Sequence, residues 1–260
     1  MTFDSTGKES FDHVYTASDP RPYFHTLREV EYQMPQHAKP YFAKLIDERG
    51  ASTVLDVGCS YGVNAALYRC EATMDELYEH YAREAETGVD RAALVELDRA
   101  QVRNNTVQFI GLDVSEPALR YAKDAGFLDD FVYADLESTE PTPEQSAILA
   151  RADLVVSTGC IGYVTERTIT QLADLPGGRR PAMAHFVLRM FSYEPVADAL
   201  AALGYETAGV TGLFKQRRFS APQEQEQILD AMRARGVTPH ELETDGWLCA
   251  ELYLSSPTEP

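Results

Sequence analysis

The sequence predicts an α/β fold, a doubly wound, mainly parallel, seven-stranded sheet with helices on both faces. Three observations carry that prediction. Short apolar runs alternate with helical periodicity along most of the chain. The first run, STVLDV (52–57), ends in a turn of small residues that opens a helix. Two later runs, VQFIGLD (107–113) and DFVYAD (130–135), each end in an Asp. Hydrophobic residues at 44% and charged residues at 25% are globular proportions, and 260 residues suit one decorated α/β domain.

The elements follow in order. Residues 1–10 and 255–260 are small, polar and aperiodic, and read as tails. The stretch from Phe11 to Tyr41 is rich in Tyr, His and Pro and reads as an irregular or partly helical extension. Ala38, Tyr41, Phe42, Leu45 and Ile46 then recur with helical spacing, with Gly50 as a stop. Residues 1–50 are therefore assigned to an N-terminal extension with lid helices, and 51–260 to the α/β domain. After the first strand a helix runs from about Gly62 to Tyr68. The second strand is followed by Ser115 as a cap, Pro117 in the first turn, and Ala118, Leu119 and Ala122 on a buried helix face. DLVVST (153–158) is the fourth strand, followed by a helix carrying Ile169 and Leu172. MAHFVLRM (183–190) is the fifth, followed by Val196, Ala199, Leu200 and Leu203 before Gly204. Residues 205–219 and WLCAELYL (247–254) complete seven strands, and their spacing points to an antiparallel edge.

A helical insertion at about 70–105 interrupts the alternation. Met74, Leu77, Tyr78 and Tyr81 share one face of its first helix, and Ala93, Leu97 and Ala100 one face of its second. The pattern leaves three roles open: a lid, an oligomer contact such as a homodimer interface, or a packing appendage.

Composition narrows the function. Asp plus Glu number 41 against 23 Lys plus Arg, a net charge of −18, which repels phosphate backbones and anionic lipid. Neither nucleic acid nor a membrane is the expected partner, and a cationic ligand is favoured. No apolar run approaches the roughly 20 residues of a bilayer span, and the polar start shows no secretory h-region, so a cytoplasmic protein is expected. Cys59, Cys70, Cys160 and Cys249 form no CxxC pair and read as reduced thiols. The six His residues form no HxH or HxxxH pair, so no metal is expected.

The chemical signal lies in D-V-G-C-S-Y-G-V-N (56–64). Gly58, Ser60 and Gly62 let the backbone pass close to a ligand, and the following helix aims free N–H groups at the same place. The spacing matches neither GxxxxGK[ST] nor GxGxxG.

With GLDVSEPALRYA (111–122), YADLES (133–138), LVVSTGCIGYV (154–164) and the closing WLCAELYL, this stretch resembles the ordered motifs of the class I S-adenosylmethionine-dependent methyltransferase superfamily. The resemblance implies a Rossmann-like sheet and S-adenosyl-L-methionine as cofactor. It further implies methylation of a small-molecule acceptor at oxygen or nitrogen, as in specialised metabolism. It places the cofactor on Asp56, Gly58, Cys59, Ser60, Gly62 and Asn64. Asp113 and Val114 would take the ribose, Asp135 and Leu136 the adenine, and Ser157 and Thr158 the edge of the fourth strand. A carboxylate at a strand's end suits paired ribose hydroxyls. Asp56 is expected behind the turn, favouring the cationic end of the ligand.

Two departures stand out. Ser60 occupies the middle glycine of the turn, where its hydroxyl can meet the ligand's carboxylate. Gly162-Tyr163 replaces the His or the Asn-Pro-Pro-Tyr-like run of the fourth motif. Candidate catalytic groups are Tyr163, Tyr15 and His13. Tyr15 and Tyr23 are also expected to cover the cofactor, where a ring face attracts a sulfonium, and the cluster Phe11, His13, Tyr15, Tyr23, Phe24 and His25 predicts that residues 11–32 close over it. Cys160, Glu166 and His25 are further pocket candidates. Arg189 is either a partner for a substrate carboxylate or a salt-bridged strand residue, and Lys215–Arg218 reads as a solvated edge strand. Two other readings share the same cradle: an enzyme consuming S-adenosylmethionine by cyclisation or aminocarboxypropyl transfer with release of methylthioadenosine, and a non-catalytic cofactor-binding module.

Overall fold

The computed structural model describes residues 6–8 and 11–258, without the side chains of Asp12 and His13. Three helices precede the sheet: α1 (Asp12–Tyr15), α2 (Arg21–Glu29) and α3 (Met34–Arg49). The α/β part follows as β1 (Thr53–Val57), α4 (Val63–Arg69), the inserted α5 (Met74–Thr87) and α6 (Arg91–Arg99), β2 (Gln108–Asp113), α7 (Glu116–Asp124) and β3 (Asp130–Tyr133). Then come α8 (Pro143–Leu149), β4 (Leu154–Thr158), α9 (Glu166–Ala173), β5 (Ala182–Leu188), α10 (Glu194–Ala202), β6 (Tyr205–Arg218), α11 (Pro222–Ala234), α12 (Glu241–Thr244) and β7 (Trp247–Pro257).

The seven strands form one sheet in the order β3-β2-β1-β4-β5-β7-β6. β1 is buried along its whole length, as a central parallel strand covered on both faces must be. Alternate residues feed two cores. Val54 and Val156 pack with α3, α4 and α7, while Leu55 and Val155 pack with α8, α9 and α10. β7 runs antiparallel to both β5 and β6. The two late strands thus make the expected antiparallel edge of the sheet; β7 is the reversed strand, and β6, outermost, runs parallel to the core strands. That direction matters, because it brings the far end of β6 to the edge where β1, β2 and β4 end.

Other expectations need correction. Ser255, assigned to a tail, is fully buried in β7 and shares hydroxyl contacts with Tyr193 and Thr207. In α6 the buried face is Leu94, Val95 and Asp98, whereas Leu97 is exposed. The reason is polar. Asp98 accepts the hydroxyls of Tyr81 at 2.8 Å and Tyr121 at 2.6 Å and lies 2.6 Å from His80 Nε2, so an acid marks the inner face. In α5, Met74, Leu77, Tyr78 and Tyr81 are buried behind a Thr73–Glu76 capping box. The extension shares the same core as the sheet: Tyr23, Phe24 and Leu27 of α2 are buried, and Phe24 stacks on Tyr81 at 4.3 Å. Among the described residues no helix is long and apolar enough to cross a membrane.

Candidate functional site

A cavity of about 680 Å3 opens at the C-terminal edge of β1, β2, β4 and β6, under α1 and α2. Its floor is the turn after β1. Gly58 sits at φ +67, and a Cβ there would come within 2.8 Å of Cys160 Cβ, so the turn passes close against the loop after β4 only as glycine. Ser60 also adopts a left-handed φ of +50, which is costly for a residue with a side chain. The strain is held by Asp113, whose Oδ2 accepts the Ser60 backbone N–H at 2.8 Å while Oδ1 accepts that of Ser115 at 2.8 Å. Burial pushes the Asp113 carboxyl up, and these backbone donors partly offset it. Each oxygen keeps a lone pair for a further donor.

Behind the turn, Asp56 is fully buried. Both its oxygens accept from Asn64 Nδ2 at 3.1 Å, and the same amide donates to Thr158 Oγ1 at 3.2 Å. Burial raises the Asp56 carboxyl to about 7, with the Asn64 amide lowering it and the Asp113 charge adding to the rise. Among the described residues, two buried atoms beside the turn have no hydrogen-bond partner, Ser60 Oγ and Asn64 Oδ1. Each such atom costs about 1–3 kcal/mol while it stays unpartnered. Val114, 66% exposed on the rim, is an apolar surface without a protein partner to cover it.

The roof is tied down by polar contacts. Tyr61 donates its hydroxyl to the carbonyls of Val14 at 3.0 Å and Ala17 at 2.9 Å, and Ser115 Oγ donates to the Tyr15 carbonyl. Tyr15, Tyr23 and Tyr61 meet edge to face, at 5.7 and 5.6 Å. Tyr23, Tyr32 and Cys160 all have ionisations raised by burial, the thiol to about 12. None of these is an anionic base near neutral pH.

Of the residues named from sequence, Gly58, Cys59, Ser60, Asn64, Asp113, Val114, Thr158, Cys160, Tyr15, Tyr23 and Tyr163 line this cavity together. Others stand apart. Asp56 lies one layer beneath. Gly62 opens α4, and a Cβ there would meet Ala122 at 3.1 Å, a packing role. Asp135 is exposed and caps its own turn, accepting the Glu137 N–H at 3.1 Å and the Ser138 hydroxyl at 2.6 Å, while Leu136 is buried in the second core. Ser157 is fully buried and sits 2.8 Å from His185 Nδ1, a ring held neutral because burial lowers it to about 3. His13 belongs to α1, but its side chain lies outside the described residues. His25 and Glu166 are exposed and face elsewhere. Arg189 pairs with Glu243 and Glu251, the salt-bridged alternative.

Sequence reasoning missed the far wall. Gln216 and Arg217 are 4% and 2% exposed and line the cavity, because α11 supplies Glu224 to pair with Arg217 at 2.6 and 2.9 Å. The expectation of a solvated edge at Lys215–Arg218 is corrected there. Tyr32, Leu27 and Pro35, not singled out from the sequence, line the cavity too, as does Phe11, one of the aromatics expected to close over the cofactor. Among the described residues no cluster of His, Cys, Asp and Glu could hold a metal.

No family model matches the chain, and no curated protein matches it. Solved structures do. It is similar to magnesium protoporphyrin IX methyltransferase from Synechocystis with bound S-adenosylmethionine, at 13% identity over 91% of this chain and 81% of that one, with a TM-score of 0.46. A methyltransferase from Geobacter sulfurreducens in complex with S-adenosyl-L-homocysteine aligns at 14% identity over 91% and 98%, with a TM-score of 0.42. A TehB-like S-adenosylmethionine-dependent methyltransferase from Corynebacterium glutamicum aligns at 16% identity over 81% and 85%, with a TM-score of 0.39.

Proposed function

We propose that the protein is a class I S-adenosylmethionine-dependent methyltransferase acting on a small-molecule acceptor. The observation that carries this reading is the cradle of Asp113, Ser60 and Asn64: a strand-end carboxylate locked by two backbone N–H groups beside two unbonded buried polar atoms. The fit to the cofactor is chemical. Asp113 offers acceptors to paired hydroxyls, Val114 an apolar shelf for a base, and Asn64 Oδ1 an acceptor for an ammonium. Ser60 Oγ can donate to a carboxylate.

When bound, S-adenosylmethionine supplies a methyl on a sulfonium, a leaving group that needs no further activation. What remains for the chain is alignment, charge and exclusion of water. Asp56 and Asp113 place negative charge behind a cationic ligand. The rings of Tyr15 and Tyr23 give the cavity π faces, and the roof pinned by Tyr61 and Ser115 keeps solvent off. Among the described lining side chains the one carboxylate, Asp113, is engaged by the backbone N–H groups of Ser60 and Ser115, which favours an acceptor atom that brings its own lone pair.

Its negative net charge supports the exclusion of nucleic acid as substrate. Calorimetry with S-adenosylmethionine and S-adenosylhomocysteine, followed by product analysis, tests the reading. Affinity for both and release of S-adenosylhomocysteine are expected. Release of methylthioadenosine instead would mark a non-methylating reaction, and tight binding with no turnover across an acceptor panel would mark a binding module.

A further inference from the structure

The cavity extends beyond the cradle to Gln216, whose position is built from two sides. Its backbone carbonyl accepts the Gln33 N–H at 2.7 Å, fixing the end of β6 to the loop before α3. Its side chain lies against Gly159 at φ +83, where a Cβ would come within 2.5 Å of Nε2, so the glycine makes room for the carboxamide. Its Oε1 is buried and has no hydrogen-bond partner among the described residues. An unpartnered carbonyl oxygen lacks a donor, and a ligand bearing one relieves the cost.

The surroundings narrow that ligand further. Arg217, the neighbouring cation, is neutralised by Glu224 through two hydrogen bonds and covered by the Phe11 ring at 5.3 Å. Lys8 is engaged over the Tyr163 ring at 5.2 Å. With a chain charge of −18, an anionic acceptor has little to attract it. Phe11, Tyr23, Leu27, Tyr32 and Pro35 supply flat apolar walls.

We propose that Gln216 is the acceptor-reading residue and that the acceptor is an uncharged heteroaromatic molecule with a ring N–H, which Gln216 Oε1 accepts, and a second ring nitrogen that takes the methyl group. This rests on the methyltransferase reading above. The second nitrogen's lone pair forms the new N–C bond, the C–S bond breaks with its electron pair going to sulfur, and the sulfonium becomes a neutral thioether. The methylated ring carries the positive charge until its N–H proton leaves to solvent with the product. No base is needed before transfer, because the attacking nitrogen brings its own lone pair.

The test uses the full chain loaded with S-adenosylhomocysteine and three probes, benzimidazole, benzoate and benzamidine, followed by ligand-observed magnetic resonance titration. Benzimidazole is expected to bind and benzoate not. Gln216→Leu should weaken benzimidazole by about tenfold or more while leaving S-adenosylhomocysteine affinity unchanged, and Gln216→Glu should shift preference toward the benzamidine cation. Benzoate binding as tightly as benzimidazole, no benzimidazole binding to loaded protein, or an indifferent Gln216→Leu variant overturns the proposal. Failure of the wild-type chain to bind S-adenosylhomocysteine overturns instead the reading on which the proposal rests.

Discussion

Asp113 reaches across from β2 to hold the backbone of Ser60, its Oδ2 accepting that N–H at 2.8 Å. One carboxylate thereby ties the second strand to the turn after the first and fixes a residue whose φ of +50 no ordinary packing favours. In its proposed role the same group also receives a ligand, which couples positioning to recognition. A ligand taken by Asp113 meets a turn already set in its bound shape.

Asp113→Ala should therefore lose more than a contact. S-adenosylhomocysteine affinity should fall by about 2 kcal/mol or more, within the range for hydrogen bonds to a charged group. Asp113→Asn, which keeps one acceptor oxygen, should lose less. Calorimetry on both folded variants decides it, and equal affinity in wild type and Asp113→Ala would remove the residue from the binding role.

Gly58 makes a second, geometric prediction. A methyl group at 58 must share space with Cys160 Cβ at 2.8 Å and also adopt φ +67. Gly58→Ala should cost about 1–3 kcal/mol of stability. Adding Cys160→Gly removes the obstructing atom but not the φ, so the double variant should regain only part of the loss. Full recovery in a thermal melt would show that contact alone, and not backbone conformation, demands glycine here.

How much of this was legible in the sequence follows from which signals are local. The strand–turn–helix after Thr53 and the Asp at the end of β2 are periodic, nearest-neighbour features, and they fell where expected. The inner face of α6 did not, because Asp98 is buried among the His80 ring and the Tyr81 and Tyr121 hydroxyls of α5 and α7, and apolar spacing is blind to a satisfied acid. Gln216 and Arg217 were hidden for a similar reason. Their run looks basic until Glu224 arrives from α11 to neutralise it. Asp135 shows the opposite error: an acid at a strand end reads as ligand-facing, but here the next turn takes both its oxygens.

Asp56 gives a pH dependence of unusual sign. Its carboxyl is raised to about 7 in the folded chain against about 3.9 unfolded, so folding takes up a proton between those values. Stability should fall as pH rises from about 4 to about 7 and level off above, a contribution on the order of 2–4 kcal/mol. In Asp56→Asn this component vanishes, so its melting temperature should overtake wild type as pH rises. Parallel profiles for the two proteins would show that Asp56 is already ionised in the fold. A cationic ligand favours the ionised form, so S-adenosylmethionine binding near pH 6.5 should release a proton, detectable as a buffer-dependent binding enthalpy.

The roof supplies the last prediction. Tyr61 belongs to the turn, yet its hydroxyl holds two carbonyls of the extension, Val14 at 3.0 Å and Ala17 at 2.9 Å. α2, by contrast, is anchored by buried Tyr23, Phe24 and Leu27 and by Phe24 stacked on Tyr81. The segment able to open is thus 11–17, not the whole of 11–32. Tyr61→Phe removes one hydroxyl and leaves the ring, so global stability should drop by only about 1 kcal/mol. Amide exchange at residues 14–17 should rise well beyond that at α2, and S-adenosylhomocysteine should restore protection in wild type more than in the variant. Turnover should fall further than stability, since an open roof admits water to the reacting centre. If exchange rises equally across α1 and α2, the two helices open as one unit and Tyr61 is a packing residue rather than the latch of the site.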